Sequence, residues 1–381
     1  MYCYKCGTEI EDDCKVCPAC GTELSLINGS PSLSSENIRA SAANAVNNLA
    51  GRIDAATGGT GDVELHFRDI FVNVFRRHTD EEANEIFACG SISTTPEPEN
   101  IAREWPKPWY YSRLFFVLLV STVLLYFLFN SFNTNNVLPG LVFVGAMLGP
   151  IPVLMFYFEV NSPRNISLIK VLEMFFIGGC LSLVFTILIG TVIPGGTGEL
   201  IPSMLTGLVE ETGKALAVIF FIKRFKGRCY ILNGLLIGGA IGAGFAVFET
   251  AGYILLSALD VEAGFFTASL NVNLEQLIAV LIIRGVLAFG GHVAWAAVTG
   301  AAIVIAMNGQ KFDWYVLGKG VFIRLFLICI VLHGLWDSNA IIINELWRDL
   351  LLCVAIWIII LIMINRGIKE INKIGSEKVE S

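Results

Sequence analysis

The sequence predicts an all-α polytopic membrane protein of about eight transmembrane helices behind a small cysteine-rich head. Three observations predict it. The 381-residue chain is 55% hydrophobic and only 15% charged, against about 25% charged in a typical soluble domain. Its mean hydropathy is +0.67. Its apolar residues gather into eight runs, roughly 112–130, 138–158, 166–193, 200–222, 232–257, 280–307, 321–344 and 349–365, each close to the roughly 20 residues that cross a bilayer. A net charge of −7 and the lack of a basic stripe exclude nucleic acid as a partner.

The head comes first. Five of the ten cysteines, Cys3, Cys6, Cys14, Cys17 and Cys20, fall in the first 20 residues. The chain opens Met-Tyr-Cys-Tyr-Lys-Cys without a signal peptide, so this end is expected in the reducing cytoplasm, where cysteine clusters favour metal over disulfide. Cys3-x2-Cys6-Gly7 and Cys17-Pro18-Ala19-Cys20-Gly21 are two knuckles ten residues apart. Four such thiolates close a tetrahedral site with no open position, so residues 1–24 read as a zinc ribbon whose zinc is structural. Its expected job is to bind a protein partner or to regulate. Cys14 is the surplus thiol, expected as a spectator, with replacement of a neighbouring ligand as the alternative. Cys180, Cys329 and Cys353 sit in apolar runs and read as small buried hydrophobes.

Residues 25–60, rich in Ser, Asn, Ala and Gly, read as a flexible linker, with a short helix around Asn37–Ile53 as the alternative for its middle. Residues 61–108 read as a cytoplasmic, helical juxtamembrane segment. Leu65, Ile70, Phe71 and Phe75 make a loose helical stripe. Thr79 and Glu82 fit a capping box whose helix runs to about Cys89 and stops at Gly90. His66 and His78 read as ordinary helix-surface histidines. The aromatic cluster between Trp105 and Tyr111 suits the water–lipid interface. Residues 109–370 form the membrane-embedded body and 371–381 a cytoplasmic tail. The sixth run is expected to break near its start.

Loop charges set the orientation. Arg103, Lys107 and Arg113, then Arg164 and Lys170, then Lys223, Arg224, Lys226 and Arg228, then Lys311 and Lys319, and finally Arg366, Lys369 and Lys373 lie in alternate connections. The other connections carry Glu199, Asp260, Glu262 and Glu275, with Arg348 their one base. By the positive-inside rule both termini of this multi-pass cell-membrane protein are cytoplasmic.

Ionisable groups in lipid cost several kcal/mol each and are usually functional. The fourth run holds Glu210, Glu211 and Lys214, the fifth Glu249, the sixth Arg284 and His292, and the seventh His333 and Asp337. Glu210 and Glu211 lie four and three residues before Lys214, so a helix places all three on neighbouring faces. His333 and Asp337 share a face in the same way, as do Phe245 and Glu249. At a rise of about 1.5 Å per residue, the four runs bring these groups together between the midplane and the outer half of the membrane. Gly234, Gly238 and Gly242 recur every four residues, a spacing that lets helices approach closely and enclose a polar cavity. Arg284 is expected to pair with a carboxylate, and Glu173 to face the cytoplasmic interface.

Glu210-Glu211-x-x-Lys214, Phe245-x3-Glu249 and His333-x3-Asp337 resemble the motif set of the PrsW family of intramembrane proteases, which belongs with the CAAX prenyl endopeptidases and bacteriocin-processing enzymes. His292, within Gly291-His292-Val293-Ala294-Trp295, resembles a further histidine of that family. The resemblance covers roughly residues 105–345. It implies hydrolysis of a peptide bond in a membrane-anchored protein substrate such as an anti-sigma-factor-like regulator, in or beside the lipid bilayer. Glu210 or Glu211 would be the general base on water, since burial of a carboxylate favours its neutral form and equips it to take and return a proton. Lys214 would hold the glutamate pair in one ionisation state. His292 and His333 would stabilise the oxyanion, and Glu249 and Asp337 would orient them. Glu249, His333 and Asp337 are also one candidate set for a catalytic divalent metal; a metal-free hydrogen-bonded cage uses the same residues. Two other readings are an ion- or proton-coupled transporter or channel, and an inactive membrane sensor or scaffold that binds a partner through its ribbon. The first lacks the inverted repeat common among secondary transporters.

Overall fold

The computed structural model describes residues 8, 18–20, 35–132, 135–258, 280–340 and 344–379. Among them there is helix and turn but no strand, and one isolated parallel bridge joins Gly198 to Ser338. Chain contacts divide the molecule at residue 49, into Met1–Leu49 and Ala50–Ser381. In the first unit Pro18, Ala19 and the exposed Cys20 form a turn. Cys3, Cys6, Cys14 and Cys17, and with them the zinc ribbon, lie outside the described residues.

Helix α1, Ser35–Ala56, contains the alternative helix at Asn37–Ile53 and takes up most of the linker expected over 25–60. Its many alanines carry the highest helix propensity, which outweighs the Ser and Asn read as linker composition. It ends where Gly58 takes a φ of +89°.

The helical stripe expected at Leu65–Phe75 is instead a succession of turns closed by three-residue hydrogen bonds, such as Phe71 N–H to Arg68 C=O at 3.1 Å. The carbonyls a helix would use are taken by distant side chains. Tyr111 Oη donates to Ile70 O (3.0 Å), and Arg113 to Arg76 O (2.9 Å). His78 Nε2 lies 2.8 Å from Asn73 O. His78 is therefore not on a helix surface. It stacks on Trp109 with ring centroids 3.6 Å apart and holds Glu82 at 2.7 Å, while His66 stacks on Trp105 at 4.9 Å. Helix α2, Asp80–Phe87, opens with the capping bond from Glu82 N–H to Thr79 Oγ1 at 3.2 Å. It stops two residues earlier than expected, and Gly90, at φ +77°, donates its N–H to Arg164 O at 2.8 Å.

Helix α3, Tyr110–Phe132, presents most of its surface outward. The amides of Trp109, Tyr110 and Tyr111 at its start all donate to the Glu159 carboxylate at 2.8 Å, which satisfies donors a helix start leaves orphaned. Glu159 belongs to the next crossing, Leu138–Val160, made of α4 (Leu138–Met147) and α5 (Pro150–Val160). Pro150 and Gly149 kink it, since proline removes a backbone donor. The third crossing, Leu168–Gly190, is α6 (Leu168–Glu173), a π-helical turn (Met174–Gly178) and α7 (Gly179–Gly190). Glu173, on this crossing, pairs with Lys170 at 2.5 Å.

Then follow α8 (Leu200–Arg224), α9 (Ile231–Ala258), α10 (His292–Met307), α11 (Gly320–Trp336) and α12 (Glu345–Val379). The break expected at the start of the sixth run is present: π and 3-10 turns over Leu281–Gly290 lead to Gly291, and α10 begins on His292 itself. The run expected to continue to 344 ends at Trp336, because Asp337 caps α11 and Ser338 turns into the bridge with Gly198. The expected tail at 371–381 begins inside α12, where Ile371 is buried. Asp54 grips this end of α12 through Arg366 Nε at 2.5 Å.

Among the described residues, six helices are long and apolar enough to cross a membrane: Tyr110–Phe132, Leu138–Val160, Leu168–Gly190, Ile231–Leu256, Leu287–Met307 and Glu345–Ser376. The expected count of about eight is not reached on these criteria. Helix α8 has the length, at 25 residues, but every span-sized window of it contains Glu210, Glu211 and Lys214. Helix α11 is apolar but only 17 residues long. The six suffice to place the chain in a membrane as a multi-pass protein.

Helix α9 is the axis of the bundle, and α10 packs directly along it. At Gly242 a Cβ would lie 2.5 Å from the carbonyl oxygen of His292, so only glycine lets α10 begin there.

Candidate active site

Four elements converge on one polar centre. Helix α8 supplies Glu210, Glu211 and Lys214; α9 supplies Glu249; the first residue of α10 is His292; the end of α11 supplies His333 and Asp337. A narrow cavity of about 50 Å³ opens against Glu210, Glu249, His292, His333 and Asp337, with Arg284 and Tyr253 at its wall.

Its inner wall is a dense network around Glu211 Oε1, with Glu211 Oε2 buried and unpartnered. Lys214 and Glu211 are fully buried, with Nζ 2.6 Å from Glu211 Oε1. The same ammonium lies 2.8 Å from His292 Nδ1 and 4.4 Å from the Phe245 ring. An ammonium only donates, so His292 Nδ1 holds a lone pair and its Nε2–H donates to Glu249 Oε2 at 2.9 Å. Arg284 fixes that glutamate from the far side at 3.2 Å and lies over the Tyr253 ring at 3.5 Å. His333 Nδ1 is 2.9 Å from Glu211 Oε1; a carboxylate only accepts, so this nitrogen is the donor. Trp295 stacks on His333 with centroids 4.5 Å apart and holds the ring plane.

The cavity wall is different. Glu210 Oε2 is buried without a hydrogen-bond partner. Around it stand His333 Nε2 at 3.6 Å, Lys214 Nζ at 3.7 Å and His292 Nδ1 at 3.8 Å. His333 Nε2 also faces Asp337 Oδ2 at 3.4 Å. The two glutamates thus separate by position: Glu211 is locked into the packing, and Glu210 faces the space where a reactant would sit.

The donor atoms that fit a metal differ from the expected set. Those lying within 4.8 Å of one another belong to Glu210, His292 and His333. Glu249 is drawn off by Arg284 and His292 Nε2, and Asp337 stands beside His333. Charge points to the same place. Glu210, Glu211, Glu249 and Asp337 carry four negative charges against two on Lys214 and Arg284, a formal −2 that a divalent cation or two added protons would offset.

All seven site residues expected from sequence therefore meet here. Trp295 and Tyr253 escaped the sequence reading, although each sits one helical turn from an expected residue, Trp295 from His292 and Tyr253 from Glu249.

A helical membrane bundle enclosing a carboxylate–histidine centre, with an unpartnered Glu210 oxygen on the cavity wall, has the makings of a membrane-embedded hydrolytic site. The sequence model of the family described as PrsW family intramembrane metalloprotease matches residues 168–364. The protein named Protease PrsW from Clostridioides difficile (strain 630) is 30% identical over 243 residues, which cover 61% of this chain and 93% of that protein. The chain belongs to the PrsW family of intramembrane proteases. No solved structure matches it.

Proposed function

We propose that this chain hydrolyses a peptide bond of a membrane-anchored regulator, of anti-sigma-factor type, at the cavity bounded by Glu210, His292, His333 and Asp337. The observation that carries this is the unpartnered, buried Oε2 of Glu210, ringed by three nitrogens at 3.6–3.8 Å. Glu210 holds a water molecule there, takes its proton as the water adds to the scissile carbonyl, and returns the proton to the leaving amine. His333 Nε2 faces the same point and stabilises the oxyanion that forms, while His292, whose Nε2–H goes to Glu249, accepts from Lys214 at Nδ1 and holds that ammonium beside Glu210. Asp337 and Glu249 set the two imidazole rings, and Lys214 neutralises Glu211 so that Glu210 is the carboxylate left to react.

Glu210, His292 and His333 would also hold a divalent ion, in keeping with the metalloprotease description of the family. Bound there, such an ion would act as a Lewis acid on the scissile carbonyl and lower the pKa of a coordinated water. The fit rests on the open Glu210 oxygen and on the formal −2 of the centre.

The rest of the reading follows the sequence. Helices α8 and α11 join the six apolar helices to make eight crossings, because the ionisable groups of α8 all turn inward. Both termini are cytoplasmic. Cys3, Cys6, Cys17 and Cys20 hold a structural zinc in a ribbon that binds a protein partner.

The test is co-expression of wild type, Glu210→Gln, Glu249→Ala and His333→Ala with tagged single-span proteins, together with metal analysis of each purified chain. Cleavage should disappear in all three variants, and His333→Ala should hold one divalent ion fewer per chain than wild type, the ribbon zinc being common to both. Unchanged cleavage in every variant would reject this site. Unchanged metal content in His333→Ala would reject the metal assignment alone.

A further inference from the structure

The connection between α7 and α8, at residues 194–199, carries backbone geometry that the chemistry above does not use. Gly198 donates its N–H to Asp337 O at 2.8 Å and accepts from Asn339 N–H at 2.7 Å. Both bonds run toward the segment that follows the catalytic His333. All peptide bonds in the described residues are trans, so the C=O and N–H of each peptide unit point in opposite directions. The Thr197 C=O, in the same plane as the Gly198 N–H, therefore points away from Asp337. The Glu199 N–H, in the same plane as the Gly198 C=O, also points away.

Neither Thr197 C=O nor Glu199 N–H has a hydrogen-bond partner among the described residues, and both residues are exposed. Thr197 lines the cavity with Glu210, His292 and His333. On its other side the 337–339 segment is occupied, since Ser338 O accepts from Arg348 at 2.6 Å. What remains is one acceptor and one donor on either side of Gly198, the spacing an extended chain pairs with. The loop is held firmly enough to serve, because Thr206 Oγ1 in α8 both accepts from Gly196 N–H at 2.9 Å and donates to Gly196 O at 2.8 Å.

We propose that Thr197 C=O and Glu199 N–H form a β-edge that captures the substrate as an extended strand and lays its scissile bond over Glu210. This rests on the protease reading of the cavity. Main-chain pairing supplies affinity without regard to side chains, a known use of exposed strand edges. It has a chemical corollary: a helical membrane segment must lose its helix at the cleavage site, so glycine or proline near the scissile bond favours cleavage.

The experiment removes one edge donor and nothing else. Glu199 has a φ of −80°, within the range of proline, so Glu199→Pro deletes the N–H at little backbone strain, and Glu199→Ala deletes only the side chain. Full-length protein in detergent is assayed on β-casein, with thermal melting to monitor the fold. The kcat/KM of Glu199→Pro should fall about tenfold below that of Glu199→Ala, the worth of one well-placed hydrogen bond. Equal kcat/KM in the two variants, with equal melting, would overturn the edge. Should Glu199→Pro melt early, wild type is given peptides from the mapped casein site, N-methylated at one residue at a time. Loss at a single position supports the edge, because Thr197 C=O accepts from one substrate N–H, and uniform tolerance overturns it. Casein cleavage that is absent in wild type, or that survives in Glu210→Gln, would instead remove the protease reading and the edge with it.

Discussion

Gly238→Ala tests how the centre is held. At Gly238 a Cβ would lie 2.0 Å from the carbonyl oxygen of Ala296 and 2.9 Å from Cα of Ala297. Real Cβ contacts do not fall below 3.0 Å, so α10 has to retreat from α9 by at least 1.0 Å. Ala296 is one turn from His292, which is tied to Lys214 at 2.8 Å and to Glu249 at 2.9 Å. A retreat of that size stretches both bonds to about 3.8 Å, beyond hydrogen-bond range. Overpacking of this kind costs about 1–3 kcal/mol of stability. A 1 Å error in a catalytic group costs about 10²-fold in rate. Gly252→Ala in the same helix is the control, because a Cβ there meets nothing within 4 Å. That change should stabilise α9 by about 0.5–1 kcal/mol through the ordinary helix preference for alanine. Cleavage of β-casein and thermal melting in detergent read both quantities. Gly238→Ala that keeps activity within about threefold of wild type and melts with it would refute the claim that backbone contact of α9 with α10 positions His292.

Two further outcomes follow from the same geometry. Glu211→Gln should destabilise the protein by about 3–5 kcal/mol, since it strips the buried Lys214 charge of its partner, whereas Glu210→Gln should melt near wild type; equal losses in a denaturation series would contradict the division of roles between the two glutamates. Outside the membrane, the hydrogen bond from His78 is the main influence holding the Glu82 carboxyl below its ordinary value of 4.5, with Arg76 and the Thr79 backbone helping against burial. A depressed carboxyl stabilises fully above its ordinary value and loses that contribution as pH falls through its lowered one, so α2 should loosen only below pH 4.5. Far-UV CD of the protein, with Glu82→Gln as blank, should show a loss of helix as pH falls below 4.5 that the blank lacks; the same loss in the blank would assign the event to another group.

Much of this centre could be read from residue spacing. Glu210, Glu211 and Lys214, or His333 and Asp337, share faces because helix geometry is local and periodic. The pairing between helices could not be read that way. Which glutamate turns to the cavity depends on the rotation of α8 against α11, and the sequence carries no period for that. The metal-fitting set moved from Glu249 and Asp337 to Glu210 and His292 for the same reason, since Arg284 claims Glu249 from a segment whose irregular turns have no sequence signature. The stripe at Leu65–Phe75 failed as a helix because Tyr111 and Arg113, about 40 residues on, take its carbonyls. The run at 200–222 is legible as apolar, yet every span-sized stretch of α8 contains Glu210, Glu211 and Lys214.

On the proposal that α8 crosses the membrane, those three residues have a consequence for how the chain enters it. An isolated charge at the centre of a crossing helix costs about 2.5–3.5 kcal/mol to insert. Helix α8 is made before α10 and α11 deliver His292 and His333, so these partners come too late to shelter it. Lys214, however, finds Glu211 one turn away on the same helix, at 2.6 Å. The pair travels as a short dipole, and Glu210 can be discharged by a single proton. Spacing that later leaves Glu210 facing the cavity thus first supplies Lys214 with a counterion carried on board during insertion.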